Sequence, residues 1–89
     1  MKTRKQVLAE FQRMHRQLCG TIDGFIDIRE YKQGSGYWTI SLIITEFEDS
    51  EIVANHEVEW HNYCNTHNDE RERENEAKLA EFKEKFNLK

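Results

Sequence analysis

Proline is absent from the chain, and only four glycines and two cysteines occur. Without proline there is no stiff spacer. No repeat or linker divides the sequence, so residues 1–89 are expected to form a single small domain. Cys19 and Cys64 are too few for a stapled secreted scaffold and are expected to be reduced thiols in a cytoplasmic protein. Long apolar runs are missing too. The charged start, Met1-Lys2-Thr3-Arg4-Lys5, leads into no unbroken apolar stretch, which argues against a secretory signal and a membrane partner. An 89-residue chain buries only roughly 60–65% of its extended surface, so the core must be thin. Charged residues make up 34% of the chain, yet ten aromatics accompany them, more than disordered chains carry.

Basic residues are missing from one long segment. Between Lys32 and Arg71 there is no Lys or Arg, while eight acids fall there. Residues 1–20 hold five Lys or Arg against one acid, and residues 21–89 hold eight against sixteen. A basic head therefore precedes an acidic body. Such a division keeps a protein soluble, and it also offers two opposite partner chemistries.

The pattern predicts an α+β fold of helix, three-stranded antiparallel meander and C-terminal helix. A two-stranded α-β-β-α arrangement is the alternative. Residues 3–19 read as an amphipathic helix. Thr3 caps it with Gln6 three residues on, and Val7, Leu8, Phe11, Met14 and Leu18 form its apolar stripe. Gly20 suits the left-handed residue that ends a helix. Residues 21–31 and 37–47 alternate as strands, with Ile22, Ile26, Ile28, Trp38, Ile40, Leu42 and Ile44 on one face. The glycine-containing loop between them is of hairpin length. Residues 51–60 fit either a strand carrying Ile52, Ala54, Val58 and Trp60 inward, or a helical stripe. A strand is favoured because two strands alone make a marginal sheet. Residues 61–87 read as helical, with Leu79, Phe82 and Phe86 on the core face and a break near residue 68, where Asp69 and Glu72 could cap a new helix.

Catalytic chemistry finds little support. His61-x-x-Cys64-x-x-His67, with His56 nearby, has metal-ligand atom types. On a straight helix, however, His61 and His67 lie about 9 Å apart along the axis, too far to share one ion. His56-Glu57-Val58-Glu59-Trp60-His61 has one residue more than the zinc-protease spacing, which turns the second histidine off the shared face. Ser35, Ser41 and Ser50 sit in no nucleophile elbow. The Gln33-Gly34-Ser35-Gly36 loop joins two strands and does not open a helix, so it is no phosphate cradle. No catalytic residue, metal site or cofactor is expected, and the chain is read as a non-enzyme.

Two features suit binding. If the isoleucine face is inward, then Phe25, Tyr31, Tyr37, Ile43 and Phe47 lie on the other side of the sheet, where polar residues are the rule. The economical expectation is that the C-terminal helix covers them, or that a second copy does as a homodimer. The functional reading is a partner-binding face. The second feature is charge. Glu46, Glu48, Asp49, Glu51, Glu57 and Glu59 fall within fourteen residues, suiting a basic protein partner. The opposite choice is a nucleic-acid surface made by Lys2, Lys5, Arg13 and Arg16 of the first helix with Arg29 and Lys32 beside the sheet aromatics. The predicted element order resembles that of double-stranded-RNA-binding domains. The lysine-rich start of the last helix that those domains use on phosphates is replaced here by Asp69-Glu70-Arg71-Glu72-Arg73-Glu74, which counts against that mode of binding.

The expected function is therefore a non-catalytic interaction module. It would be a small regulator or inhibitor, of the kind phages and mobile elements encode, that binds a protein through Phe25, Tyr31, Tyr37, Phe47, Glu46, Glu48, Asp49 and Glu51. RNA or single-strand binding is the alternative.

Overall fold

The computed structural model describes residues 2–33, 36–62 and 69–89. Its elements run α1 (Arg4–Leu18), β1 (Gly24–Gln33), β2 (Tyr37–Glu48), β3 (Glu51–Asn62) and α2 (Asp69–Lys85). The three strands form one antiparallel sheet in the order β1-β2-β3. This is the expected α-β-β-β-α architecture.

Local chemistry sets the element ends. Thr3 accepts a hydrogen bond from the Gln6 backbone N–H, and the Gln6 side chain accepts one from the Thr3 backbone, so the capping box is closed. Gly20 takes φ +87° just after α1, a conformation that costs a residue with a Cβ. Asp49 and Ser50, both at positive φ, make the two-residue turn between β2 and β3. Gly24 opens β1 where no side chain fits, because a Cβ there would lie 1.9 Å from the Thr45 carbonyl oxygen.

Residues 51–62 form a strand, which decides the ambiguous segment. His61 and Asn62 belong to β3, so α2 starts at Asp69 and not near residue 61. Tyr63 to Asn68, with Cys64 and His67 of the metal-like spacing, lie outside the described residues.

Both helices lie on the same face of the sheet. Val7, Phe11, Met14 and Leu18 of α1 and Leu79 and Phe82 of α2 join Ile40, Leu42, Ile44, Val58 and Trp60 in one buried cluster. Burying such side chains contributes roughly 1.5–3 kcal/mol each, which makes this layer the main source of stability. An ionic clasp ties the helices together over it. The Glu10 carboxylate receives Lys2 at 2.9 Å and also Lys83, and Lys2 reaches Glu76 at 3.1 Å. The Lys2 ammonium also sits 5.2 Å from the Trp60 ring centre. Burial disfavours the charged Glu10, but its hydrogen bonds to Lys83 and Lys2 outweigh burial and hold the carboxyl below the ordinary range. For Lys2, burial is likewise outweighed by its Glu10 and Glu76 partners, and its pKa is raised.

This arrangement overturns the expectation that α2 covers the outward aromatics. Its apolar stripe is spent beside α1, on the same face as the isoleucines. The geometric cause is at β3: Val58 and Trp60 present the last stretch of inward core, and α2 completes that core.

Candidate functional site

The opposite face of the sheet is left without a covering layer among the described residues. Strand register defines it. Phe25 pairs with Thr45 and on to Asn55, Asp27 with Ile43 and Glu57, Arg29 with Ser41 and Glu59, and Tyr31 with Thr39 and His61. Paired residues project to the same side of a sheet, so these rows form one surface of twelve side chains. Tyr37 and Phe47 extend it along β2. The expected grouping of Phe25, Tyr31, Tyr37, Ile43 and Phe47 is thus present.

One end of this face is apolar. The Phe25 and Phe47 rings meet edge to face with centroids 5.3 Å apart. Ile52 is the Cα partner of Phe47. Phe25 is 71% exposed, Ile52 60% and Val53 56%. Ile52 was expected inward with Ala54, Val58 and Trp60. A bulge corrects that: the register shifts between Glu46 and Phe47, Val53 is the extra residue on β3, and Ile52 turns to the open side. The adjacent pair Ile52-Val53, which breaks strict alternation, is the sequence signal for this bulge.

Acids lie at the turn beyond the apolar end. Glu48 pairs with Glu51 across the turn that carries Asp49, and all three are exposed, with Glu48 and Glu51 alternating to the side opposite Phe47 and Ile52. Glu46 does not join them. It pairs with Ala54 on the helix-covered side, and its carboxylate meets His56 Nε2 at 3.1 Å. Lys85 points its amine at His56 Nδ1, 3.0 Å away. The amine can only donate, so Nδ1 accepts and Nε2–H donates to Glu46. The Phe86 ring stands edge-on to His56 with centroids 4.9 Å apart.

Further along the open face the residues are polar and tied to one another. Arg29 Nε lies 3.5 Å from the Asp27 carboxylate. His61 Nε2 is 2.7 Å from the Glu59 carboxylate, and its Nδ1 is 3.2 Å from the Thr39 hydroxyl. The Thr45 hydroxyl donates to Asn55 at 3.0 Å. Burial, and then the neighbouring Glu59 carboxylate, push the Glu57 carboxyl above its usual range. Asp27, Arg29, Glu57 and Glu59 therefore form a charged field beside the aromatic end, with the His61 ring against Glu59.

The edge of β3 is closed in one place by a residue with no precedent in the sequence reading. Asn75 of α2, only 4% exposed, accepts from the His61 N–H at 3.3 Å and donates to the His61 carbonyl at 2.8 Å. It imitates the two hydrogen bonds of a neighbouring strand. The signal was its spacing four residues before Leu79, on the stripe of Leu79 and Phe82.

The basic candidates are not brought together. Lys2 precedes α1, outside the expected stripe, and is engaged by Glu10 and Glu76. Lys5, Arg13 and Arg16 are exposed on α1, Arg29 lies on the far side of the sheet, and Lys32 pairs with Trp38 on the helix side. His56 and His61 also sit on opposite faces, so they share no ion. No group of three or more metal-type ligands gathers among the described residues. No helix there is long and apolar enough to cross a membrane.

Comparison of the chain with protein-family models, with curated proteins and with solved structures finds no match.

Proposed function

We propose that the protein is a non-catalytic interaction module that docks a protein partner on the open face of its sheet. The observation that carries this reading is the uncovered apolar end, Phe25-Phe47-Ile52 with Val53 beside it, which runs up to the exposed acidic turn of Glu48, Asp49 and Glu51. An apolar centre with a charged border is the anatomy of a protein interface. The sign of the border selects the partner: an apolar side chain or two flanked by Lys or Arg. The module acts by occupying that patch on its partner, as a small regulator or inhibitor does, and no bond is made or broken. Glu46 is removed from the binding set because its carboxylate is held by His56. Ile52 and Val53 are added.

A nucleic-acid role is the weaker alternative. It needs Lys5, Arg13 and Arg16 to act without Lys2, Arg29 and Lys32, which leaves about three phosphate contacts on one helix face.

The test is recovery of a partner by nuclease-treated tagged protein from its source cells, compared across three forms. The docking reading expects a stoichiometric protein that survives Arg13→Glu with Arg16→Glu and is lost with Phe25→Ser and Ile52→Ser. Loss on the arginine reversals alone, with a 260 nm absorbance that nuclease abolishes, would transfer the function to the basic helix.

A further inference from the structure

The two edges of the sheet are protected unequally. The β3 edge carries the Val53 bulge and the Asn75 closure. The β1 edge has ten residues, no bulge in its pairing with β2, and no proline. Its outward backbone groups follow from register. His61 N–H and C=O point away from β2, toward Asn75, so by alternation Ile40, Leu42 and Ile44 bond β3, and Thr39, Ser41, Ile43 and Thr45 bond β1. The Phe47 N–H to Asp23 carbonyl bond of 2.8 Å fits the same alternation. Ile26, Ile28 and Glu30 therefore direct N–H and C=O outward. Among the described residues none of these N–H groups donates, and none of these carbonyls accepts, a hydrogen bond.

We infer that β1 pairs antiparallel with β1 of a second copy, centred on Ile28, to make a six-stranded sheet. The strand is complementary to its own reversal about that residue. A two-fold axis at Ile28 sets Asp27 opposite the partner's Arg29 and Arg29 opposite the partner's Asp27. Phe25 then faces the partner's Tyr31, and Tyr31 the partner's Phe25. All four rows fall on the open face, where Phe25, Asp27, Arg29 and Tyr31 are exposed. The adjacent registers with the same backbone bonding fail on charge: centring on residue 27 sets Asp27 against itself, and centring on residue 29 sets Arg29 against itself.

The helix side agrees. Arg16, with Gln12 and His15, lines the cleft between α1 and the β1 residues Ile26, Asp27 and Ile28. The register places the partner's Glu30 opposite Ile26, beside Arg16. Within its own chain Glu30 is held by Arg4, so the seam gains a second basic contact without a new acid. The two-fold axis stands perpendicular to the sheet, so both open faces end up side by side. The dimer would present two Phe25-Phe47-Ile52 clusters on one continuous surface. This pairing rests on the β1 edge and shares only Phe25 with the proposed docking patch.

The experiment is sedimentation velocity on the full chain over a wide concentration range, with far-UV circular dichroism to confirm folding. Wild type should dimerise. Asp27→Arg and Arg29→Asp should each weaken the dimer roughly tenfold, because two like-charge rows then cross the seam. The double variant Asp27→Arg, Arg29→Asp should restore it. Ile52→Ser, on the other edge strand β3, should leave the dimer unchanged. Wild type that stays monomeric up to millimolar concentration would overturn the proposal. So would a dimer indifferent to both single reversals, or one lost with Ile52→Ser, which would put the contact on the docking patch instead.

Discussion

The two faces of one sheet both carry apolar side chains but use them differently. On the covered face, Ile40, Leu42 and Ile44 are wholly buried beneath two helices. On the open face, Phe25, Tyr31 and Ile52 are more than half exposed. The same strands supply both sets, alternating residue by residue. The difference teaches that hydrophobicity in this chain serves two ends. One face holds the fold together, and the other, open among the described residues, is the one we propose for association.

Substitutions should separate the faces by their energies. The largest loss is expected on the covered side, where Phe11→Ala empties the centre of the core and should cost about 3–5 kcal/mol in urea unfolding. Next comes Asn75→Ala, which strips the His61 backbone of both partners and should cost about 1–3 kcal/mol. A loss under a few tenths of a kcal/mol would show that water replaces the side chain and that the β3 edge needs no closure. Smallest should be Phe25→Ser and Ile52→Ser on the open side, each within about 0.5 kcal/mol of wild type. A loss on the scale of Phe11→Ala there would erase the distinction between the faces.

Two carboxyls sharpen it further, through opposite responses to pH. Glu10, on the covered side, has its pKa lowered on folding. Its stabilising contribution is present above the unfolded value and is lost as pH falls through the folded one. Glu57, on the open side, has its pKa raised. Its contribution is present below the unfolded value and is lost as pH rises through the folded one. Glu10→Gln should therefore reduce stability at neutral pH, by about 1–2 kcal/mol, and flatten the acid limb of the stability profile. Glu57→Gln should raise neutral stability slightly, by about a few tenths of a kcal/mol. Denaturant titrations from pH 3 to pH 8 read both signs, about a unit beyond the ordinary carboxylate range at the acid end.

Much of the fold was legible because periodicity reports burial. Val7-Phe11-Met14-Leu18 and Ile40-Leu42-Ile44 announce a helix and a strand whose apolar faces must meet. The capping box at Thr3 and Gln6 marked where α1 begins. The open face was legible as a list of outward aromatics, Phe25, Tyr31, Tyr37, Ile43 and Phe47. Its state was not, because covering depends on which side α2 takes, and Leu79 and Phe82 carry no label for sheet side. Ile52 was misplaced for a local reason: a bulge adds one residue, and every later side chain keeps its face only if that residue is counted. Glu46 and Glu48 are both even positions on the side of Ile44; Glu46 is taken up by His56 and Glu48 stays exposed at the turn, a difference that alternation alone does not reveal. Asn75 was hidden by its polarity, since an amide that completes a strand edge looks like any solvated residue. The segment from Tyr63 to Asn68, with Cys64 and His67, lies outside the described residues.

Placing a photo-crosslinking residue at position 25 and, separately, at position 13 tests the central claim most directly. Position 25 is on the open face, and position 13 is on the exposed side of α1. Irradiation in the source cells, followed by nuclease treatment and denaturing electrophoresis, reports which side meets another macromolecule. The account predicts a discrete protein adduct from position 25, beyond any dimer of the chain itself, and none from position 13. An adduct from position 13 alone, or from neither position, would contradict it.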